Sequence, residues 1–411
     1  MDRCPVVSFD HNSAAHASDP AGDYRRLRAE AAVGYTEAHG GYWILADYAS
    51  VFDAARDDSV FSSRRSEHGG TGLSVLIPKT PSPRHIPIEM DPPEFRGYRR
   101  IVNEIASPSA VAKLKPMIAG YVTRFVDGVI EAGECDFGQL VKVPAVVTVD
   151  WLGLPLSHWE RFAFAHHTVV AEVAGSPNYR QATEVDFPEL HALIRATIAE
   201  RRADPGDDLI SWFVRQEVPA EDGTVRVLDD DEVFGIVDLL LAGGVDTTAS
   251  LVGQTLVWLD RHHDVRQRLI DEPELLPRAI EEFLRFFAPA PALARTIAKD
   301  APFHGCTLKE GDRALLAWAS ANRDPAQFEN PDTLDIDRWP NRHLSFGLGV
   351  HRCVGSHLGR AMAQQLLGEV LRRMPDYRID HDGVVAYPQQ GSSAGFGVIP
   401  ATFTPGAREG A

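Results

Sequence analysis

The run Asp229–Arg261 carries Val233-Phe234-Gly235-Ile236-Val237-Asp238-Leu239-Leu240-Leu241-Ala242 at its middle, apolar on nearly every face. A helix of that kind has no side to show to water, so it must be threaded through the centre of a large domain. The chain has enough material to surround it: 411 residues, 44% of them apolar. Length alone allows one large domain or two or three small ones.

The same run continues Ala242-Gly243-Gly244-Val245-Asp246-Thr247-Thr248. Two glycines inside a buried helix cost about 1 kcal/mol each relative to alanine, so something else requires them. Close approach of a flat cofactor is one explanation. A threonine in a helix bonds its own backbone at i−4 or presents its hydroxyl elsewhere, and an acid beside it can relay protons. Taken alone, such a run is more often ordinary helix packing.

Around this element the periodicity predicts further helices over Asp19–Glu30, Asp47–Arg56, from Asp91 onward, and over Ser109–Glu131, Leu140–Leu152, His158–Ala174, Phe187–Ala203, Asp207–Gln216, Val265–Asp271 and Glu274–Phe287. A hairpin is expected from Val33–Tyr35 and Tyr42–Leu45, strands at Ala294–Ala298 and Arg313–Trp318, and a late hairpin around Gly391-Ser392-Ser393. The breaks are short, with no linker and no repeat. This is a mainly α chain with small β-sheets, read as a single domain over 1–411 with a loose N-terminal arm (1–18) and tail (402–411). Phe61–Met90, rich in Gly and Pro, is a long loop of the kind that serves as a substrate lid.

A second feature carries chemistry: His343-Leu344-Ser345-Phe346-Gly347-Leu348-Gly349-Val350-His351-Arg352-Cys353-Val354-Gly355, followed by a helical pattern over Ser356–Met374. Cys353 lies near a helix N-terminus, which favours thiolate. The glycines let the backbone approach a flat ligand closely. A single thiolate without a second ligand at chelate spacing suits an axial haem ligand better than zinc, although a lone cysteine is most often a small buried hydrophobe. A third feature, Glu282-Phe283-Leu284-Arg285, sets a carboxylate and a guanidinium on one helical face. Buried with Arg338, such a pair can fix the cysteine loop in place.

With 41 Lys+Arg against 58 Asp+Glu the formal charge is −17, which speaks against nucleic acid or anionic lipid as a main partner. No basic-then-apolar leader opens the chain, and no apolar span of about 20 residues suggests a membrane anchor. The four cysteines, Cys4, Cys135, Cys306 and Cys353, form no CxxC pair and point to a reducing cytoplasm without disulfides.

In this order and spacing, Asp246-Thr247, Glu282-x-x-Arg285 and Phe346-Gly347-x-Gly349-x-His351-x-Cys353-x-Gly355 resemble a bacterial cytochrome P450 of the camphor-hydroxylase type, from about Asp19 to Pro400. The resemblance implies that family's fold, with a b-type haem between the central helix and the cysteine loop. It also implies a monooxygenase that uses O2, with NAD(P)H electrons delivered through a ferredoxin reductase and a ferredoxin. Cys353 matches the iron ligand, and Asp246 and Thr247 the acid–alcohol pair that passes protons. Phe346 and Gly243 match cofactor contacts, and Arg99, Arg295 and His351 the partners of the haem propionates. Phe95 stands where many members have histidine, which removes a fourth propionate donor, and Gly359 replaces a common alanine.

Substrate walls are expected from the loop Ser62–Ile86, from Leu239, Ala242 and Gly243, and from the run Ala288–Ala294, which holds Ala290 and Leu293. The turn Gly391–Phe396, with Ala394, completes the list, and the residue types favour a compact apolar substrate such as a terpenoid or aromatic. Arg84 and His85 are expected at the solvent, the alternative being contact with a substrate carboxylate. Arg96, Arg100, Arg342, Arg352 and Arg360 form a candidate basic patch for an acidic ferredoxin. A peroxide-using enzyme of the same family typically lacks the acid–alcohol pair, and a haem gas sensor would have an output domain.

Overall fold

Asp19, Asp47 and Asp229 each accept a backbone N–H from the first turn of the helix they precede: Pro20–Glu30, Tyr48–Arg56 and Asp230–Gly244. The last is closed reciprocally by Glu232, whose carboxylate receives the Asp229 N–H. In the computed structural model, which describes residues 4–65, 72–220 and 223–410, helices dominate and small sheets flank them. Most expected helices form within a few residues of their predicted bounds, including Phe187–Ala203 and Ser356–Arg373.

The central run differs from its prediction. It is two helices, Asp230–Gly244 and Thr247–Arg261, interrupted at Val245 and Asp246. The Thr247 hydroxyl donates to the Gly243 carbonyl at 3.0 Å, competing with the backbone ladder beside two glycines. By length and composition Asp230–Arg261 is apolar enough to cross a membrane, contrary to the sequence reading, but its most apolar stretch is 67% buried inside the fold. Val233, Ile236, Val237, Leu241, Val252, Leu256 and Leu259 are wholly or almost wholly buried on several faces.

One sheet joins the two ends of the chain, in the order Val33–Thr36, Tyr42–Leu45, Arg313–Leu316, Leu293–Ile297, Phe61–Ser62. Only Tyr42–Leu45 with Arg313–Leu316 is a parallel pair. The late hairpin pairs Val385–Ala386 with Phe396–Val398. Gln181–Asp186, read in sequence as a break, is a π-helical turn leading into Phe187–Ala203.

The two ends, expected loose, lie against the body. Val7 and Phe9 are buried and Val6 bridges Tyr35; in the tail, Gly406 N–H donates to Ile130 and Gly410 N–H to Asp127. Cys4 and Cys306 are joined as a disulfide with their Cα atoms 5.5 Å apart, against the expectation of no disulfide. That pairing spans 302 residues, a separation no local spacing rule detects.

Candidate active site

Glu282 and Arg285 face each other through two 2.7 Å hydrogen bonds, both side chains buried. The Glu282 carboxylate also accepts from Arg338 Nε at 3.2 Å, from the Asp335 backbone at 2.9 Å and from Asn341 at 2.9 Å. A buried charge held by that many donors is fully compensated. Arg285 donates onward to the Asn322 carbonyl at 2.9 Å. Asn322, wholly buried, receives the Leu344 N–H at 2.6 Å and donates to the Ser345 hydroxyl at 2.7 Å. The ion pair therefore reaches the cysteine loop through one asparagine that sequence reading missed.

The loop itself turns at Gly347 (φ 62°) and Gly349 (φ 71°). At Gly349 a Cβ would meet the Ala55 carbonyl at 2.3 Å, so only glycine lets the loop lie this close to the helix Tyr48–Arg56. Cys353 N–H then closes onto the Phe346 carbonyl at 2.8 Å. The sulfur looks into a cavity lined on its side by Phe346, His351 and Cys353, and on the other by Leu239, Ala242, Gly243, Asp246 and Thr247. Arg99, Arg295, Ala290 and Leu293 complete that set. Ile86 and Ala394 do not line it: Ile86 packs into the core, and Ala394 is turned to bond Pro289 and Ser250. Their neighbours His85, Pro87, Ser392 and Ser393 line the cavity instead. Residues 66–71 of the expected lid lie outside the described residues.

The two central glycines have separate reasons. A Cβ on Gly244 would meet the Thr148 hydroxyl at 2.7 Å, whereas one on Gly243 would meet nothing within 4 Å. Gly244 thus serves helix packing and Gly243 leaves room on the cavity.

Two guanidinium groups and one imidazole meet at the cavity's edge. Arg295 is buried and its guanidinium bonds only the Ala294 carbonyl at 2.8 Å among the described residues; burial pulls its pKa down to about 10. His351 Nε2 is buried with no hydrogen-bond partner among the described residues, 3.8 Å from Asp91 Oδ1. Burial lowers the His351 pKa, and Asp91 opposes that shift. Arg99 donates to the Arg352 carbonyl. Phe95 packs edge-on against the His351 ring, centroids 4.7 Å apart. Asp91, read in sequence only as a helix start, accepts from Ser62 and from the Ser63 backbone, and the helix it precedes begins at Phe95.

Burial pushes the Cys353 thiol up, against the Gly355 N–H and the guanidinium groups of Arg99, Arg352 and Arg360. The helix position and the neighbouring guanidinium groups favour the anion, and burial works against them. Bonding to a metal would supply the deprotonation, since a coordinating thiol loses its proton outright.

Across the cavity, Asp246 is buried and receives hydrogen bonds from the Tyr387 hydroxyl at 3.2 Å and from the Ser393 hydroxyl. His167 Nδ1 lies 2.7 Å from the same carboxylate, and its ring is partly exposed. Tyr387 and His167 carried no sequence signal, and Ser393 was read only as part of the late turn, because all three arrive from distant elements.

The family model described as Cytochrome P450 matches residues 177–383, half of the chain. The steroid C26-monooxygenase of Mycobacterium tuberculosis (strain ATCC 25618 / H37Rv) is 33% identical over 410 residues, 98% of this chain and 99% of the relative. The chain belongs to the cytochrome P450 family. It is a bacterial P450 monooxygenase, and the helix-rich architecture is that family's fold. Among solved structures, CYP109E1 from Bacillus megaterium in complex with testosterone superposes with a TM-score of 0.81 at 29% identity, covering 95% of this chain and 99% of that one. The polyketide biosynthesis cytochrome P450 PksS of Bacillus subtilis is 31% identical over 292 residues, 70% of each chain.

The residues present fit the haem this P450 family uses. An orphaned imidazole nitrogen at His351 and an under-bonded buried guanidinium at Arg295 are suited to carboxylates arriving with the cofactor. Cys353 would hold the iron, and Gly243 leaves the opposite wall flat.

Proposed function

We propose that this P450 hydroxylates a rigid, mainly apolar small molecule of terpenoid or steroid type, using electrons from a separate ferredoxin fed by an NAD(P)H-dependent reductase. The observation that carries the reading is the cavity wall facing Cys353, built from Leu239, Ala242, Ala290 and Leu293. The steroid named for one relative and the testosterone named for one structural neighbour agree with it.

When bound, haem supplies oxygen activation, with the Cys353 thiolate as the electron-rich ligand that favours O–O cleavage. Arg99, Arg295 and His351 would pair with its propionates. Thr247 presents its hydroxyl to the cavity while donating to Gly243. Asp246, one residue before it, holds a carboxylate whose partner His167 reaches the surface. Protons pass from His167 Nδ1 to the Asp246 carboxylate and on toward Thr247, and the apolar walls keep bulk water away.

On the cysteine side, Arg96, Arg342 and Arg352 are exposed and form the core of the ferredoxin surface, with Arg100, also exposed, bonded to the Glu217 carbonyl. Arg360 is committed to Glu281 by two bonds of 2.6 and 2.7 Å and drops out of that patch. A spectral-shift titration of the reconstituted protein with terpenes, steroids and simple aromatics tests the substrate class. Displacement of the iron's water by steroids or terpenes supports it, and a response to aromatics alone overturns it.

A further inference from the structure

His85 was expected at the solvent, but it is buried, 5% exposed, and lines the cavity. Its Nε2 lies 3.0 Å from Asp238 Oδ2. Asp238, on the central helix, is itself buried, with its other oxygen 3.4 Å from His191 Nε2 and His166 close by. Burial by itself would raise the Asp238 carboxyl; the His191 and His85 contacts and the His166 imidazole outweigh it and hold the group well below the usual carboxylate range. A buried carboxylate of this kind fixes the imidazole that bonds it.

The backbone is fixed as well. The His85 N–H donates to Glu89 at 2.9 Å, and Glu89 is in turn held by Arg65 and the Ser74 N–H. The next residue's N–H donates to the Gly235 carbonyl at 3.2 Å. A Cβ on Gly235 would meet the Arg84 carbonyl at 2.6 Å, so glycine is what lets the loop sit on the helix here. Loop, ring and helix are thus stapled together with one ring nitrogen, His85 Nδ1, left without a hydrogen-bond partner among the described residues. The neighbouring walls at Leu239, Ala242, Ala290 and Leu293 are apolar.

We propose that His85 Nδ1 anchors a hydroxyl group on the substrate, at the end away from the carbon that is oxidised. A hydroxyl both donates and accepts, so it pairs with that nitrogen in either tautomer. Asp238 stands nine residues before Thr247, near the middle of the first central helix, with Thr247 opening the second, a separation on the order of 13 Å at the helical rise. The anchor and the proton-delivering pair therefore hold opposite ends of one elongated apolar skeleton. His85 binds, and Asp238 positions His85.

This inference rests on the apolar-substrate reading and adds the polar group that reading lacks. The test uses two probes that differ by one hydroxyl, androstane and androstan-3-ol, titrated by spectral shift into the haem-loaded full chain and into His85→Phe. The wild type is expected to bind the alcohol at least about tenfold tighter, the worth of one well-placed hydrogen bond, and His85→Phe to bring the two affinities within about twofold. Equal affinities in the wild type overturn the anchor even if the variant does not fold, as does an unchanged preference in a folded variant. A response to neither probe removes the steroid-type reading itself, and the anchor with it.

Discussion

On the cysteine side of the cavity, Glu282, Arg285, Arg338 and Asn322 bond one another and the loop backbone, and none of them reaches the cavity. On the central-helix side, Asp246 and Asp238 bond histidines and hydroxyls that do line the cavity or reach the surface: Ser393 and His85 in one case, His167 in the other. Both sides bury carboxylates. The first uses guanidinium partners, whose charge is permanent, and so gives a fixed mount for Cys353. The second uses imidazoles and hydroxyls, groups that can both donate and accept a hydrogen bond, and so gives a face that can take part in chemistry. Rigidity and proton traffic are assigned to opposite walls by the choice of partner.

The largest effect should come from breaking the mount. Arg285→Ala leaves Glu282 buried with two of its five hydrogen bonds gone, and removing one partner of such a pair costs about 3–5 kcal/mol. Chemical denaturation should show that loss, together with failure to retain haem; a variant of native stability would erase the distinction between the walls. Asn322→Ala should destabilise by about 1–3 kcal/mol, the penalty for leaving the Leu344 N–H unpaired in the interior. Haem dissociation should speed up in step, since Asn322 links the ion pair to the loop.

The opposite wall should respond in turnover rather than in stability. Thr247→Ala should leave the fold intact and lower product formed per electron pair consumed, with the balance appearing as peroxide. Asp246→Asn should slow turnover by about 10²-fold, the lower range for a positioned proton-transfer group, read as the ratio of kcat values. His167→Phe should give a smaller slowing with an unchanged spectral dissociation constant, because it supplies protons and touches no substrate.

The smallest effect is a pH slope. Burial lowers the His166 pKa from 6.5 to about 4. The unfolded chain therefore takes up a proton on His166 between those values while the folded one does not. Stability falls as pH drops from 6.5 toward 4 and this contribution levels off below. In His166→Phe the decline over that window should be shallower in a denaturation series.

The contrast between the walls also explains what could be read from the sequence. The mount is built from local motifs: Glu282 and Arg285 share a helical face at i,i+3, and Gly347, Gly349 and Cys353 lie in one short loop, so pattern and spacing revealed them. Asn322 carries no motif and was invisible. The proton wall is assembled from separate elements. Asp246 and Thr247 could be named from the glycine-bearing run, but Tyr387 and Ser393 come from the late hairpin and His167 from the helix Trp159–Ala171. His85 was misjudged because charged and polar residues in a Pro-rich loop are usually exposed; only the fold shows Gly235 admitting that loop to the buried Asp238. The break at Val245 and Asp246 was likewise hidden, since periodicity continues through it.

The central claim is that Cys353 is the thiolate ligand of haem iron, held by a mount that plays no other part. Its most direct measurement is the absorption spectrum of the reduced carbonyl form of wild type and Cys353→Ser. The wild type should show the red-shifted Soret band of thiolate ligation and the variant should lose it. A wild type without that band, or a serine variant that keeps it, would contradict the account.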